Sequence, residues 1–104
     1  NIAFLMNKRG EWSLAPAYDV IYCYNPDGAW TRRHQMSVNG KHDHFEKADL
    51  EAVAKRFNLL KKNGVDLVIE QTAAALARWP QFAAEAGVPE QTAQQIAGHH
   101  RQIG

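Results

Sequence analysis

The sequence predicts a mainly helical α+β chain that opens with a β-hairpin. Three observations carry this expectation. Residues 2–14 run from an apolar stretch through a polar turn ending in glycine into a second strand-like stretch. Leu50, Val53, Ala54 and Phe57 then recur at the spacing of one helix face, and Val65, Val68, Ile69, Thr72, Ala73 and Leu76 repeat it.

The chain has 104 residues, enough for one small domain with one core. Apolar residues make up 45% and charged residues 22%, which belongs to a globular chain rather than a disordered one. Three parts are expected within it: a hairpin and metal segment over 1–22, a loop over 23–46 and a helical part over 47–104.

Ile2 to Met6 form the first strand, Asn7-Lys8-Arg9-Gly10 a four-residue loop, and Glu11 to Leu14 the second strand. A two-stranded hairpin is marginal by itself, so Phe4, Met6, Trp12 and Leu14 are expected to pack on something larger. Pro16 ends the second strand because it lacks the N–H a ladder needs.

Val20 to Gly40 shows no sustained period. Asn25-Pro26-Asp27-Gly28 has the residue preferences of a type I turn. Tyr22, Tyr24, Trp30, Arg32, Arg33 and His34 crowd around it, either as aromatics pinning a surface loop to the core or as groups that contact phosphate or a partner. His42 and His44 would share one face of a strand, which is half a metal site at most, since zinc takes three or four protein ligands. His99 and His100 are adjacent, so a helix would aim their rings about 100° apart, and they read as polar-face residues.

The helices are expected over Lys47–Asn58 and Asn63–Arg78, with Lys61-Lys62-Asn63-Gly64 as the turn between them and Trp79-Pro80 as the break after the second. A short helix follows over Gln81–Ala86 and ends at Gly87. Pro89 suits a first helical position, and Ala93, Ile96, Ala97, His100 and Ile103 mark the last helix. The alanine-rich stretches are helix formers that permit close packing.

Twelve basic against eleven acidic residues leave a formal charge of +1, which supplies no general field for nucleic acid or membrane. Cys23 is the sole cysteine and reads as a packing residue. No signal-peptide core or long apolar run occurs, so the expected compartment is the cytoplasm, without membrane contact. The chain lacks an initiator methionine, and Asn1 is expected to be an internal residue of a longer protein.

Neither the G-x-x-x-x-G-K-[ST] nor the G-x-G-x-x-G phosphate loop occurs. What remains is Asp19, a carboxylate that follows Pro16 inside the run Leu14-Ala15-Pro16-Ala17-Tyr18-Asp19-Val20-Ile21-Tyr22. An unpaired charge there is costly, so it needs a cation, backbone donors or exposure at a pocket wall. It reads as a metal ligand or as a turn or N-cap aspartate. Asn1 lies eighteen positions earlier, across the hairpin, whose two ends return to each other. One amide oxygen and one carboxylate suit magnesium, which fills its remaining positions with water and phosphate oxygens.

Asn1-Ile2-Ala3-Phe4-Leu5 resembles the end of the Asp-x-His-x-x-Asn catalytic loop of HipA-like serine/threonine kinases, the toxins of bacterial type II toxin-antitoxin pairs. Leu14-Ala15-Pro16-Ala17-Tyr18-Asp19-Val20 is similar to that family's metal-binding segment, the counterpart of Asp-Phe-Gly in other kinases. His34-Gln35-Met36-Ser37-Val38-Asn39-Gly40 and Arg78-Trp79-Pro80-Gln81-Phe82 also look like family segments. The resemblance implies the C-lobe portion of a protein-kinase-like fold. It also implies that Asn1 ligates a second magnesium and that Asp19 bridges magnesium to the phosphates of ATP.

The catalytic aspartate of that pattern lies about five residues before the asparagine, upstream of Asn1. No catalytic base is therefore assigned here, and the chain by itself is expected to be inactive and to bind no cofactor. The implied partners are a HipB-like antitoxin, DNA only through that antitoxin, and a protein substrate such as an aminoacyl-tRNA synthetase. An exposed docking face, where the missing lobe should dock, would favour homo-oligomers. The alternative is a non-catalytic helical module that binds an antitoxin or DNA through Arg32, Arg33 and the helical tail. The genomic sequence decides between them: an Asp-x-His-x-x motif running into Asn1 supports the kinase, and a start codon there supports the module.

Overall fold

The computed structural model describes residues 1–59, 61 and 63–103. Two short strands, β1 (Phe4–Met6) and β2 (Trp12–Leu14), pair antiparallel with Phe4 opposite Leu14, Leu5 opposite Ser13 and Met6 opposite Trp12. Asn7 closes the loop between them. Its backbone N–H donates to the Glu11 carbonyl at 3.0 Å, and its side-chain oxygen accepts from the Arg9 and Glu11 N–H groups at 2.9 and 3.0 Å. The Asn7–Glu11 pair shortens the loop proper to the three residues between them, one fewer than the sequence pattern suggests. Beyond the strands the ladder gains one more bond, from Ala15 N–H to the Ala3 carbonyl at 2.9 Å, before Pro16 stops it.

Four helices follow: α1 (Lys47–Phe57), α2 (Gly64–Ala77), α3 (Trp79–Glu85) and α4 (Glu90–Ala97). They pack in sequence, α1 on α2, α2 on α3 and α3 on α4. Each stop has a local cause. Asn58 at φ 50° ends α1 in the left-handed region, with Leu59 N–H reaching back to the Ala54 carbonyl at 3.0 Å. Gly87 at φ 72° ends α3 the same way: Val88 N–H donates to the Ala83 carbonyl at 2.9 Å and Gly87 N–H to the Ala84 carbonyl at 3.1 Å, a Schellman closure.

The turn expected over Lys61–Gly64 includes Lys62, which lies outside the described residues, as do Leu60 and Gly104; Gly64 N–H donates to the Lys61 carbonyl at 2.9 Å. The third helix starts at Trp79, two residues before the sequence suggests. Pro80 sits in its first turn, where the missing N–H costs nothing. The last helix stops at Ala97, so His100 and Ile103 are not on it. The apolar spacing of Ile96, His100 and Ile103 mimics a helix face, but Gly98 ends the pattern and the following residues turn back over the other helices.

Asn25-Pro26-Asp27-Gly28 forms the expected turn, with Gly28 N–H on the Asn25 carbonyl at 3.0 Å. The loop also holds a second tight turn. Val38 and Lys41 exchange backbone hydrogen bonds of 2.8 and 3.0 Å around Asn39 (φ 51°) and Gly40 (φ 78°), the two-residue turn in which both central residues need positive φ.

The expected core is thin. Among the described residues only Ala83 and Asp49 are buried. The surface measures 9059 Å², against about 5,900 Å² for a compact monomer of this mass. The radius of gyration, 16.5 Å, likewise exceeds the roughly 13 Å of a compact domain this long. Phe4, Met6, Trp12 and Leu14 are each more than half exposed, and neither strand meets a helix among the described residues. The expectation that these four pack on something larger is therefore not met within the described residues, because the helices stack on one another and leave both hairpin faces open. No described helix is long and apolar enough to cross a membrane.

A Cβ added at Gly40 would meet nothing within 4 Å, so the cost of a side chain there is backbone strain alone. Gly40→Val is expected to destabilise the chain by about 1–2 kcal/mol in urea unfolding. An unchanged midpoint would show that the turn tolerates another conformation.

Candidate functional site

The hairpin delivers the two residues singled out at its ends to one place. Asn1 donates from Nδ2 to Asp19 Oδ2 at 2.6 Å, across eighteen positions of sequence. The ladder explains why: the Ala3–Ala15 bond holds the two departing ends side by side, and Pro16 stops their pairing from continuing. Asp19 itself adopts φ 54°, a left-handed backbone uncommon outside glycine, asparagine and aspartate. Both side chains are exposed. Asp19 is thus neither a helix cap nor a buried unpaired charge; its carboxylate stands at an open surface with an amide against one oxygen.

Two oxygen-bearing side chains side by side can share a hard cation, with water or a ligand's oxygens completing the shell. Among the described residues no group of three or more His, Cys, Asp or Glu side chains gathers at one point. Of the residues the sequence singled out as possible metal ligands, Asn1 and Asp19 are in direct contact.

A family model described as the HipA-like C-terminal domain matches residues 1–103. The chain belongs to the HipA-like C-terminal domain family. Searches of curated proteins and of solved structures returned no match.

Other residues of this HipA-like domain that the sequence singled out go elsewhere. His42 donates from Nδ1 to the His34 carbonyl at 3.0 Å, and the His34 ring lies 5.4 Å from Phe45. His44 is exposed at φ 51°, so the two imidazoles do not share a strand face. Arg32 and Arg33 are exposed in the loop between Trp30 and Met36, which are themselves 76% exposed. Cys23 is exposed, which corrects its reading as a packing residue: the segment around it is held by Tyr22 and Tyr24, not by the thiol.

His99 and His100 are also not polar-face residues of a helix. The Tyr22 hydroxyl and His99 Nδ1 share a hydrogen bond of 2.5 Å, with the two rings nearly parallel at 6.1 Å. Tyr24 meets the same imidazole edge-on at 4.9 Å, and His100 meets Trp79 edge-on at 5.7 Å. Trp79 is anchored in turn by its indole N–H, which donates to the Ala93 carbonyl at 2.8 Å.

Sequence reasoning missed Asp49, which is only 3% exposed. Its carboxylate accepts from Lys41 Nζ at 2.7 Å, Asn39 Nδ2 at 2.9 Å and the Glu46 N–H at 2.8 Å. The signal was present: Asn39-Gly40 is the strongest short turn dipeptide, and an aspartate in the first turn of a helix is a standard receiver of backbone donors. Lys41 completes the knot with Glu46 at 3.0 Å. Nearby, Lys47 pairs with Asp66 at 2.5 Å and so joins α1 to α2, while Asp43 accepts from its neighbour His44 N–H at 2.8 Å and pairs with Arg101. The His44 bond and the Arg101 charge hold the Asp43 carboxyl below its usual range.

The Lys41 ammonium, with Asn39 and the Glu46 N–H, lowers the Asp49 pKa from 3.8 to about 2. A carboxyl depressed by folding contributes stability that is present above its unfolded value and lost as pH falls through the folded one. Acid unfolding should therefore include a component between about pH 4 and 2 that Asp49→Asn removes, with the variant less stable at neutral pH. Parallel pH profiles of stability for parent and variant across that window would show Asp49 to be idle.

Proposed function

We propose that this HipA-like C-terminal domain supplies the magnesium and ATP-phosphate ligands of a protein serine/threonine kinase, together with helical scaffold from the kinase C-lobe. The observation that carries the reading is the meeting of Asn1 and Asp19 at 2.6 Å on an exposed surface. Family membership over residues 1–103 and the resemblance of the Leu14–Val20 segment to a kinase metal segment point the same way.

The donor set fits the ion. Asp19 offers a charged carboxylate and Asn1 a neutral amide oxygen, both hard donors of the kind magnesium takes. The Asn1 nitrogen now faces the carboxylate, so half a turn about the last side-chain bond would present its oxygen instead. Bound magnesium would neutralise charge on the transferring phosphate. Asp19 would hold the ion from the carboxylate side, and Asn1 would orient it. The hairpin would keep the two at a fixed separation. Because both residues are exposed, phosphate oxygens would have access to an ion held by them. The general base of the reaction is assigned to no residue of this chain, and a HipB-like antitoxin is the partner class this reading carries with it.

In a protein that joins this chain to the Asp-x-His-x-x loop, Asp19→Ala is expected to lower phosphoryl transfer by about 10²–10³-fold or more while circular dichroism stays that of the parent. Transfer at the parental rate would remove Asp19 from the metal site and the proposal with it.

A further inference from the structure

The residues that follow α4 make a series of side-chain contacts in which each reaches a different part of the fold. His99 engages Tyr22 by its 2.5 Å hydrogen bond and parallel stacking, and Tyr24 by an edge contact. His100 lies on Trp79 of α3. Arg101 pairs with Asp43 in the loop before α1. Ile103 lines, with Leu50, Ile69 and Leu76, a groove of about 110 Å³ between α1 and α2. Five consecutive positions thus reach the segment after Asp19, the loop, and three of the helices.

The Asp19 segment has little else to hold it. Val20 and Ile21 are 83% and 70% exposed, neither strand meets a helix among the described residues, and Asp19 sits in a strained left-handed conformation. Such backbone persists only where surrounding contacts over-determine it. Tyr22 lies three residues beyond Asp19, and the partner that clamps its ring and hydroxyl comes from seventy-seven positions away.

We infer that His99–Ile103 is a strap that sets the position of the Asp19 segment, and that His99 is a positioning residue for the metal site, acting through Tyr22 rather than touching the ion. The inference rests on reading Asp19 as a metal ligand. The strap makes that site sensitive to whatever displaces residues 99–103: a partner that lifts them releases Tyr22 and lets Asp19 drift from Asn1, with α1 to α4 still packed.

The test uses a protein that joins this chain to the Asp-x-His-x-x loop, isotope-labelled, with two readouts in nuclear magnetic resonance. One is the shift of the Asn1 side-chain amide, which reports its bond to Asp19, with Asp19→Ala supplying the unbonded reference. The other is Mn²⁺-induced broadening at Asn1 and its neighbours. His99→Ala is expected to move the Asn1 amide toward the reference and to weaken Mn²⁺ binding by about tenfold or more, the range for residues that support metal ligands from behind. His99→Asn, whose amide places a polar atom where Nδ1 stood, should restore both. Tyr22→Phe deletes only one hydroxyl from an exposed ring, so it tests the same link without threatening the fold, and should shift both readouts in the direction of His99→Ala.

Parental values in His99→Ala and Tyr22→Phe overturn the strap. If Mn²⁺ fails to broaden Asn1 in the parent of that joined protein, the metal reading fails, and the amide shift still decides whether residues 99–103 position Asp19.

Discussion

The carboxylate of Asp49 is where the irregular half of this chain becomes fixed to the helical half. It accepts three hydrogen bonds at once, from the Lys41 ammonium, the Asn39 amide and the Glu46 backbone, while nearly closed off from solvent. The donors come from two local devices: one two-residue turn presents Asn39 and closes at Lys41, and Glu46 is the residue that starts α1. A buried carboxylate is tolerable only when so satisfied. The Asn39-Gly40 turn and the start of α1 therefore depend on each other, since loss of either leaves a charge without its donors.

The hairpin obeys a different constraint. An antiparallel pair must return its ends to the same place, and here that geometry sets an amide against a carboxylate. The ladder sets the two ends that carry Asn1 and Asp19 side by side. What the rest of the fold contributes arrives through the residues after α4, whose rings and guanidinium meet Tyr22, Trp79 and Asp43. Local ladder chemistry thus brings the ends together, and long-range aromatic contacts hold the segment after Asp19.

The uncovered surface belongs to the same picture. The roughly 3,000 Å² beyond that of a compact monomer exceeds what a standard interface buries in total. Much of the exposed apolar surface lies on the hairpin and the segment after it, at Ile2, Phe4, Trp12, Leu14, Val20 and Ile21, beside Asn1 and Asp19. A HipA-like C-terminal domain of this kind presents its candidate ion ligands at the edge of an apolar face, and an ion site gains strength when such a face is covered and water is excluded.

The amino-acid order alone determined the elements whose causes are local. The hairpin, the turn at Asn25–Gly28, the first two helices and the stops at Asn58 and Gly87 follow from apolar period, proline and left-handed residues, each acting within a few positions. It also determined that the chain ends carrying Asn1 and Asp19 would lie side by side, because a hairpin's geometry is short-range. The tertiary structure alone decided the fate of His99, His100 and Arg101. Their partners lie twenty-one to seventy-seven positions away, and a periodic pattern records which face a residue occupies but not which distant group arrives there. Ile96, His100 and Ile103 show this most plainly: their spacing is that of a helix, yet past Gly98 the aromatic and ionic partners on other elements outweigh continued helix, and the chain turns back to meet them.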